Sequence, residues 1–567
     1  MLGKVAERNI RNFSLHKLFF ISLIVIYALI IVAGAELGPA DEFAFLSTLQ
    51  SGVPFPYYDR DFPYFDTYAM GRFIPLGGQE YNLVGLISND PFWYFAVNAF
   101  EFVLFAILLL KILQQFSDNK LLIYSSVLLV FFVPGFTINF FKLLNVEKNV
   151  IFYLAIFLAS YLSFIKEQRI LTFIFALVSA NLAVYYKETV FVAITAFAVS
   201  HLLFSWSKIN VAGKILDSLL ILSSFVYVII YLLIVFPHRG EIIYNQSIYD
   251  PLLVFTKNLL NYSFFSDPVP ILLIPLALVR LYQILLRRRD PVPFLDSMII
   301  AGVTYVAAYL VLNIYSPYYL LPVYVFALPP LVYFYERGEL RGTFWKASSI
   351  IVGVVLLTNT LPSGIYYLTY HKYLSKNFNN VVNYLAADIN NKYDGQRINI
   401  FIDGVDRGTG QGVYLIFGEY LKYKGLSIRK FDLKTDMEAV DKRPFAIRPS
   451  PFDKASDLDA IGAPSEYPRL PFTVFQKGEL QRINSGDYLI VSPHSTKNVS
   501  QEYLASLKND YRLLYRTESP LAFPNINLKS FIKYIFSSIT LSSYKDSGVL
   551  LNQNLMGWPD YYIFIRR

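Results

Sequence analysis

Eleven apolar stretches, separated by short charged segments, constrain this chain more than anything else in it. They run roughly over residues 18–34, 92–114, 119–136, 149–165, 170–186, 190–206, 215–236, 268–286, 295–313, 318–335 and 347–366. A helix of about 20 apolar residues crosses the hydrocarbon core of a bilayer, and about 17 just suffice. Lipid offers the backbone no hydrogen-bond partners, so such runs must satisfy themselves as helices. Composition agrees: 55% of the 567 residues are hydrophobic, 16% are charged, and mean hydropathy is +0.42. The expected class is a polytopic α-helical membrane protein.

Charge orients the spans. Lys4, Arg8, Arg11 and Lys17 precede the first run, against Glu7 alone. Cytoplasmic flanks carry the excess of Lys and Arg, so the N-terminus is expected inside and the first helix runs outward. Alternation then places Lys111/Lys120, Lys166/Arg169, Lys208/Lys214, Arg287-Arg288-Arg289 and Arg337/Arg341/Lys346 in inner loops, each of them basic. Outside fall the loop 35–91, the segment 137–148, the turn at Lys187-Glu188, the loop 237–267, the turn at Ser316-Pro317 and everything after about 367. The net charge of +8 reads mostly as this bias, so no nucleic-acid partner is expected. The first helix has no small-residue cleavage site in good register and reads as a retained anchor. Cysteine is absent, which excludes a disulfide framework and a thiolate nucleophile. The five histidines are scattered without metal-ligand spacing. No metal or cofactor is predicted, although Asp59, Asp61 and Asp66 have the oxygen chemistry of a hard-cation site.

Beyond residue 370 the long apolar runs stop and charge density rises. INIFID (398–403), SIRKFDL (427–433), DYLIVSP (487–493), YRLLYRT (511–517) and DYYIFIRR (560–567) read as short strands. TGQGVYLIFGEYLKYKG (409–425) reads as an amphipathic helix ending at a glycine. The expectation is a membrane domain over 1–370 and an extracytoplasmic α/β domain over 371–567, with residues 435–486 as a proline-rich loop. GVDRGTGQG (404–412) lacks the spacing of a dinucleotide or phosphate loop, so a nucleotide is not expected there.

The charged residues at the outer face hold the candidate chemistry. Asp41 and Glu42 follow the first span directly, and carboxylates in that place can serve as a catalytic base. The plainer alternative is a helix cap followed by a solvated acid. The rest of the first outer loop carries Asp59, Arg60, Arg72 and Glu80 among many aromatics. Aromatic faces stack on sugar rings, while carboxylates and arginines bind hydroxyls and phosphates. The alternative is an interfacial amphipathic helix. Lys187 and Glu188 sit in a very tight turn, too near the hydrocarbon to be without cost, so they should face the bundle interior or a wet cavity. Otherwise they snorkel from an ordinary turn. Glu188 is expected to orient Lys187. His238 and Arg239 end the seventh span, where an arginine can clamp a phosphate. KLLNVEK (142–148) reads as a short amphipathic outer segment. Asn98 and Glu101 share a helix face and should find partners inside the bundle.

Together these features resemble the GT-C superfamily of glycosyltransferases, which use lipid-linked sugars and include protein O-mannosyltransferases, lipid A aminoarabinose transferases and oligosaccharyltransferases. The resemblance covers about residues 15–370. Its main carrier is ADEFAFL (40–46), similar to the Asp-Glu pair of the mannosyl and aminoarabinosyl enzymes. GRFIPL (71–76), Lys187-Glu188-Thr189 and SPYYLLP (316–322) support it, the last placing Tyr318 at the entry of a late helix. No WWD-type motif occurs in the C-terminal region, which argues against an oligosaccharyltransferase. The resemblance implies a polyprenyl-phosphate sugar as donor, an acceptor that is a glycan, lipid or protein, and inverting displacement with Asp41 as base and Glu42 second. It implies Arg72, Lys187 and Arg239 as phosphate partners and Asp59, Arg60, Glu80, Glu188, His238 and Tyr318 as further substrate contacts. An O-antigen polymerase or ligase, or a transporter or flippase, would share much of this outline. The polymerases and ligases place their main outer loop between late spans, and transporters often show internal repeats, of which none is convincing here.

Overall fold

The computed structural model describes residues 2–39, 72–238, 250–340, 342–402, 417–435, 476–477, 483–493, 501–532 and 557–567, with single positions at 42, 452, 454, 456, 457 and 535. The chain forms two compact units. The first comprises Met1–Ala33, Pro56–Glu80 and Trp93–Gly364; the second comprises Gly34–Phe55, Tyr81–Phe92 and Ile365–Arg567.

The first unit is a bundle of apolar helices. In chain order the described ones are α1 (Leu2–Val32), α2 (Gln79–Gly85, a short helix that begins in this unit), α3 (Pro91–Leu113), α4 (Lys120–Phe131), α5 (Pro134–Phe141), α6 (Glu147–Glu167), α7 (Ile170–Tyr186), α8 (Val190–Ser205), α9 (Val211–Ile230), α10 (Pro251–Asn261), α11 (Pro268–Ile271), α12 (Leu273–Leu285), α13 (Pro293–Val311), α14 (Val323–Glu336), α15 (Thr343–Val355) and α16 (Leu361–Lys392, which begins in this unit and belongs to the second from Ile365 on). Each of the eleven expected runs coincides with one of these helices or a consecutive pair. Among the described residues, six helical stretches are long and apolar enough to span a membrane, and α4 with α5 forms a further, bent one. The remaining apolar helices are shorter: Lys17–Val32, Ile170–Tyr186, Val190–Ser205 and Val323–Glu336.

The run expected over 119–136 is bent. α4 and α5 meet at 58°. Pro134 lacks an N–H and its ring excludes the preceding turn, so the helix stops and restarts with Pro134 at its first position. The structure also moves residues 137–141 out of the expected outer loop. Every residue of α5 is buried, and Phe136 packs against Phe102, Phe131 and Phe140 with ring centroids 5.8, 5.3 and 4.4 Å apart. Gly364 packs against the bend itself, where an added methyl would collide with the Phe132 carbonyl. Gly364→Ala should therefore lower the stability of this unit by about 1–3 kcal/mol, the ordinary cost of overpacking. Thermal unfolding of the purified variant in detergent reads this, and an unchanged transition would mean that the contact can relax.

A π-helical turn at Leu356–Thr360 joins α15 to α16, so residues Thr343–Lys392 run as one helical stretch of 50 residues. That is more than twice the roughly 20 residues a bilayer crossing needs, so much of α16 continues beyond the apolar part.

The second unit is built on a six-stranded sheet: β1 (Ile398–Ile402), β2 (Phe431–Thr435), β3 (Gln476–Lys477), β4 (Tyr488–Val491), β5 (Tyr511–Arg516) and β6 (Tyr562–Arg566), in the order β3-β2-β1-β4-β6-β5. β1 to β4 pair in parallel, while β6 runs antiparallel to both β4 and β5. β4, with sequence YLIV, is buried throughout, as a central strand covered on both faces should be. β5 is mostly exposed and forms an edge. The helix α17 (Gln501–Leu507) covers one face through Leu504 and Leu507, which join Phe401, Leu489, Val491 and Phe564 in the core.

Two strand expectations shift. In 427–433 the Ser427 hydroxyl accepts from the Arg429 N–H and sets a 3-10 turn over Ile428–Lys430, so β2 starts only at Phe431. Within the expected loop 435–486, Gln476–Lys477 forms the edge strand β3. Of the expected helix 409–425, residues 417–423 are helical, and Gly425 follows with φ +86°, a left-handed cap that favours glycine. Residues 404–412 lie outside the described residues.

Candidate functional site

The Lys187-Glu188-Thr189 turn between α7 and α8 gathers the main polar cluster of the first unit. All three side chains are engaged. Lys187 is 4% exposed, so it does not snorkel; its Nζ lies 3.0 Å from Glu147 Oε1 and 4.7 Å from the centre of the Tyr319 ring. Tyr319 in turn stacks on Tyr309 at 4.9 Å, and the Tyr309 hydroxyl is 3.1 Å from Thr189 Oγ1. Glu188 receives Arg72 in a two-point pairing, Nε to Oε1 at 3.0 Å and Nη2 to Oε2 at 3.4 Å. The expected pairing of Glu188 with Lys187 is thus replaced by a crossed arrangement: Glu188 holds Arg72, and Glu147 holds Lys187. The loop bearing Arg72 is fastened nearby, with Leu76 N–H donating to the Tyr185 carbonyl and the Tyr227 hydroxyl to the Phe73 carbonyl at 2.8 Å.

Electrostatics follow from this pairing. Burial opposes ionisation of Glu188, but the charges of Arg72 and Lys187 outweigh it and hold the carboxyl down at about 2, from an ordinary 4.5. Burial likewise opposes the charge on Arg72, yet Glu188 more than offsets it and the guanidinium is held above its usual range. A carboxyl with a depressed folded value stabilises the fold fully above its unfolded value of about 4.5 and loses that contribution as pH falls toward 2. Glu188→Gln should therefore be less stable than the parent at pH 7, with the gap narrowing across that window. Unfolding midpoints at pH 7 and pH 3 in detergent check this; a gap that stays constant would mean that the ion pair contributes nothing.

A second set of contacts adjoins the first. The Asn149 amide donates to Glu80 Oε1 at 3.0 Å and to Glu101 Oε1 at 2.9 Å, and the Tyr186 hydroxyl donates to Glu80 Oε2 at 3.0 Å. Asn98 donates instead to the Phe140 carbonyl at 3.2 Å, so Asn98 and Glu101 find separate partners inside the bundle. Lys148 is fully buried and its ammonium donates to the carbonyls of Leu143 and Asn145. This corrects the reading of 142–148 as an amphipathic surface segment: the turn buries its lysine as a clasp on its own backbone. Tyr318 is half-buried with its ring edge-on to Tyr319 at 4.8 Å, and Tyr319 is the residue that touches Lys187.

Glu42 belongs to the second unit and is 5% exposed. Its carboxylate accepts the Gly38 N–H, and it lies close enough to Lys372 and Tyr420 for charge interaction. Tyr420 itself donates to the Leu37 carbonyl at 2.7 Å, and Asn379 donates to the same carbonyl at 3.0 Å. The residues just after the first span are therefore tied to α16 and to the helix at 417–423. Asp41, Asp59, Arg60 and Arg239 lie outside the described residues; His238 ends a 3-10 turn and its side chain also lies outside them. Among the described residues no group of three His, Cys, Asp or Glu side chains could hold a metal ion.

Sequence reasoning missed Glu147, Asn149 and Tyr319, whose roles depend on partners tens of residues away. It also missed Asp267. That residue precedes Pro268 as a helix cap would, yet its side chain caps nothing. Fully buried beside Ser266 and Tyr324, its carboxyl is pushed up to about 7 by burial.

The chain is a polytopic helical membrane protein with a C-terminal α/β unit. No protein-family model and no curated protein matches it. Among solved structures, the Archaeoglobus fulgidus oligosaccharyltransferase in complex with Zn and sulfate aligns over 96% of this chain and 88% of its own, at 11% identity and a TM-score of 0.42. ArnT from Cupriavidus metallidurans, bound to undecaprenyl phosphate, aligns over 88% of this chain and 95% of its own, at 11% identity and a TM-score of 0.38. The archaeal oligosaccharyltransferase AglB from Archaeoglobus fulgidus, in complex with an inhibitory peptide and a dolichol-phosphate, aligns over 97% and 89%, at 12% identity and a TM-score of 0.37. These neighbours are GT-C glycosyltransferases, the superfamily that the acidic motif resembles. Likenesses this distant leave the function to be read from the residues.

Proposed function

We propose that the chain is an integral-membrane glycosyltransferase that moves a sugar from a polyprenyl-phosphate donor to a lipid, glycan or protein acceptor on the extracytoplasmic face. The observation that carries this reading is the guanidinium of Arg72. Glu188 fixes it through Nε and Nη2 while the side chain stays 25% exposed, so Nη1 remains as a further donor for an anion. Asp41 takes the proton from the acceptor hydroxyl, whose oxygen attacks the anomeric carbon. The bond from that carbon to the phosphate oxygen breaks, its electrons pass to the departing polyprenyl phosphate, and the configuration inverts. Arg72 and Arg239 stabilise the charge that grows on the phosphate. Lys187, held by Glu147, adds positive potential beside Arg72. Asp59, Arg60 and Glu80 contact sugar hydroxyls, His238 flanks the phosphate and Tyr318 lies against the substrate. The N-terminus is cytoplasmic, residues 1–370 form the transferase domain, and 371–567 form an extracytoplasmic domain that shapes the approach of the acceptor.

The test is release of polyprenyl phosphate from a polyprenyl-phosphate sugar by the purified full chain in detergent. Arg72→Ala should reduce kcat/KM about tenfold to a hundredfold, the worth of one charge-assisted contact to phosphate. Arg72→Lys should recover only part of it, because a lysine keeps the charge without the two-point geometry. Activity indifferent to Arg72 would overturn the assignment. Tags at Arg288 and in the C-terminal domain should report opposite sides of the membrane; the same side would remove the outer-face site.

A further inference from the structure

Residues 521–532 of the second unit, with Ile535, carry their polarity inside out. Leu521, Phe523, Ile526, Leu528, Phe531, Ile532 and Ile535 are exposed by 78, 40, 54, 42, 50, 37 and 39%. The same segment buries Asn527 and Ser530, at 8 and 7%. Asn527 Oδ1 accepts the Ser530 N–H at 2.8 Å and starts the helical turn at 528–532, so the polar residues form the inward cap and the apolar ones face out. A water-facing segment would show the reverse pattern. A contiguous apolar surface of this kind marks a protein or membrane contact.

The position of the segment selects between them. Three hydrogen bonds fasten it along α16: Asn377 Nδ2 donates to Ser519 Oγ at 2.9 Å, Leu521 N–H to Tyr373 Oη at 3.2 Å, and Phe523 N–H to Thr369 Oγ1 at 2.9 Å. Each two residues of the segment step back four residues of the helix. Two extended residues span about 6.6 Å and four helical residues about 6 Å, so the steps match. The segment therefore runs along α16 toward the apolar stretch that ends near residue 366. Tyr366, Tyr367, Tyr370 and Tyr373 follow along the next two turns of α16, as aromatics near the end of a span do. Lys529 and Lys533 interleave with the apolar residues in sequence, as in segments that lie on anionic lipid.

We propose that residues 521–532 dock on the outer leaflet of the bilayer, with their apolar side chains at the boundary between headgroups and acyl chains. This goes beyond the transferase reading and holds or fails without it.

The chain has no cysteine, so single cysteines carry a label unambiguously. Ile526→Cys and Phe531→Cys, labelled with an environment-sensitive fluorophore, would be compared with Asn509→Cys on an exposed turn of the same unit, all as full-length protein in nanodiscs of phosphatidylcholine with anionic lipid. The expected result is that lipids spin-labelled in the upper acyl chain quench the two segment labels strongly and the Asn509 label weakly, with aqueous iodide showing the opposite order. Iodide quenching equal to that at Asn509 would overturn the proposal. So would labels shielded from both quenchers, since that pattern means a protein partner or a second copy covers the patch. Photoreactive lipid applied to the unsubstituted chain is a check that needs no variant. Adducts should map to 521–532 as well as to the spans, and their restriction to the spans would equally overturn the proposal.

Discussion

Asp41→Asn is expected to leave the chain folded and to lower transfer by about 10²–10⁴-fold, the ordinary worth of a positioned general base. Asparagine keeps the size of the side chain and an acceptor oxygen, but it cannot take a proton at neutral pH. The neighbouring acid sharpens the test. Glu42 is buried and its carboxylate accepts the Gly38 N–H within its own turn, beside Lys372 and Tyr420. A methyl on Gly38 would collide with that carboxylate, so the turn is built around it. Glu42 thus has a positioning task, and Glu42→Gln, which retains an acceptor for the Gly38 N–H, should cost far less activity than Asp41→Asn. The measurement is turnover of a polyprenyl-phosphate sugar by monodisperse variants. Collapse for Glu42→Gln alone would move the base one residue along, and full activity for both would end the glycosyl-transfer reading of this motif.

The two halves of the molecule were not equally legible in sequence. Apolar length is a local property, so every span from Leu18 to Tyr366 was visible, and even the break at Pro134 had its cause on display. The strands showed for the same reason: Tyr488–Val491 is apolar on both faces and lies mid-sheet. What escaped was pairing at a distance. Lys187 and Glu188 stood out as charges that could not be free, but nothing in the sequence says that the first reaches Glu147 and the second Arg72, 116 residues away. Lys148 illustrates the opposite error. The segment KLLNVEK reads as an amphipathic outer one, while the structure turns the Lys148 ammonium back onto two carbonyls. The exposed face of 521–532 was hidden by the same limitation, because alternation of polar and apolar residues does not reveal which side meets the protein.

Removing Glu147 should be strongly destabilising. The Lys187 and Glu147 side chains are only 6 and 2% exposed and meet at 3.0 Å. Taking away one member of a buried ion pair strands the other charge, at a cost of about 3–5 kcal/mol, whereas replacing both by neutral groups is often close to neutral. Glu147→Gln is therefore expected to lower the unfolding midpoint sharply, and Lys187→Met with Glu147→Gln to recover most of the loss. Tyr319 beneath the ammonium supplies only about 0.5–2 kcal/mol of compensation, too little to hold an unpaired lysine in place. The double variant also separates two roles for Lys187. If the lysine adds potential at the donor phosphate, the double variant regains stability but keeps a raised KM for the polyprenyl-phosphate sugar. If both stability and KM return to the parent values, the pair only joins α6 to the turn after α7, and the phosphate must be met by Arg72 and the cations of the outer loops. Unfolding in detergent and donor titration on the same preparations read the two quantities independently. A Glu147→Gln variant as stable as the parent would show that the pair contributes nothing to stability, and an unchanged KM would remove its role at the phosphate as well.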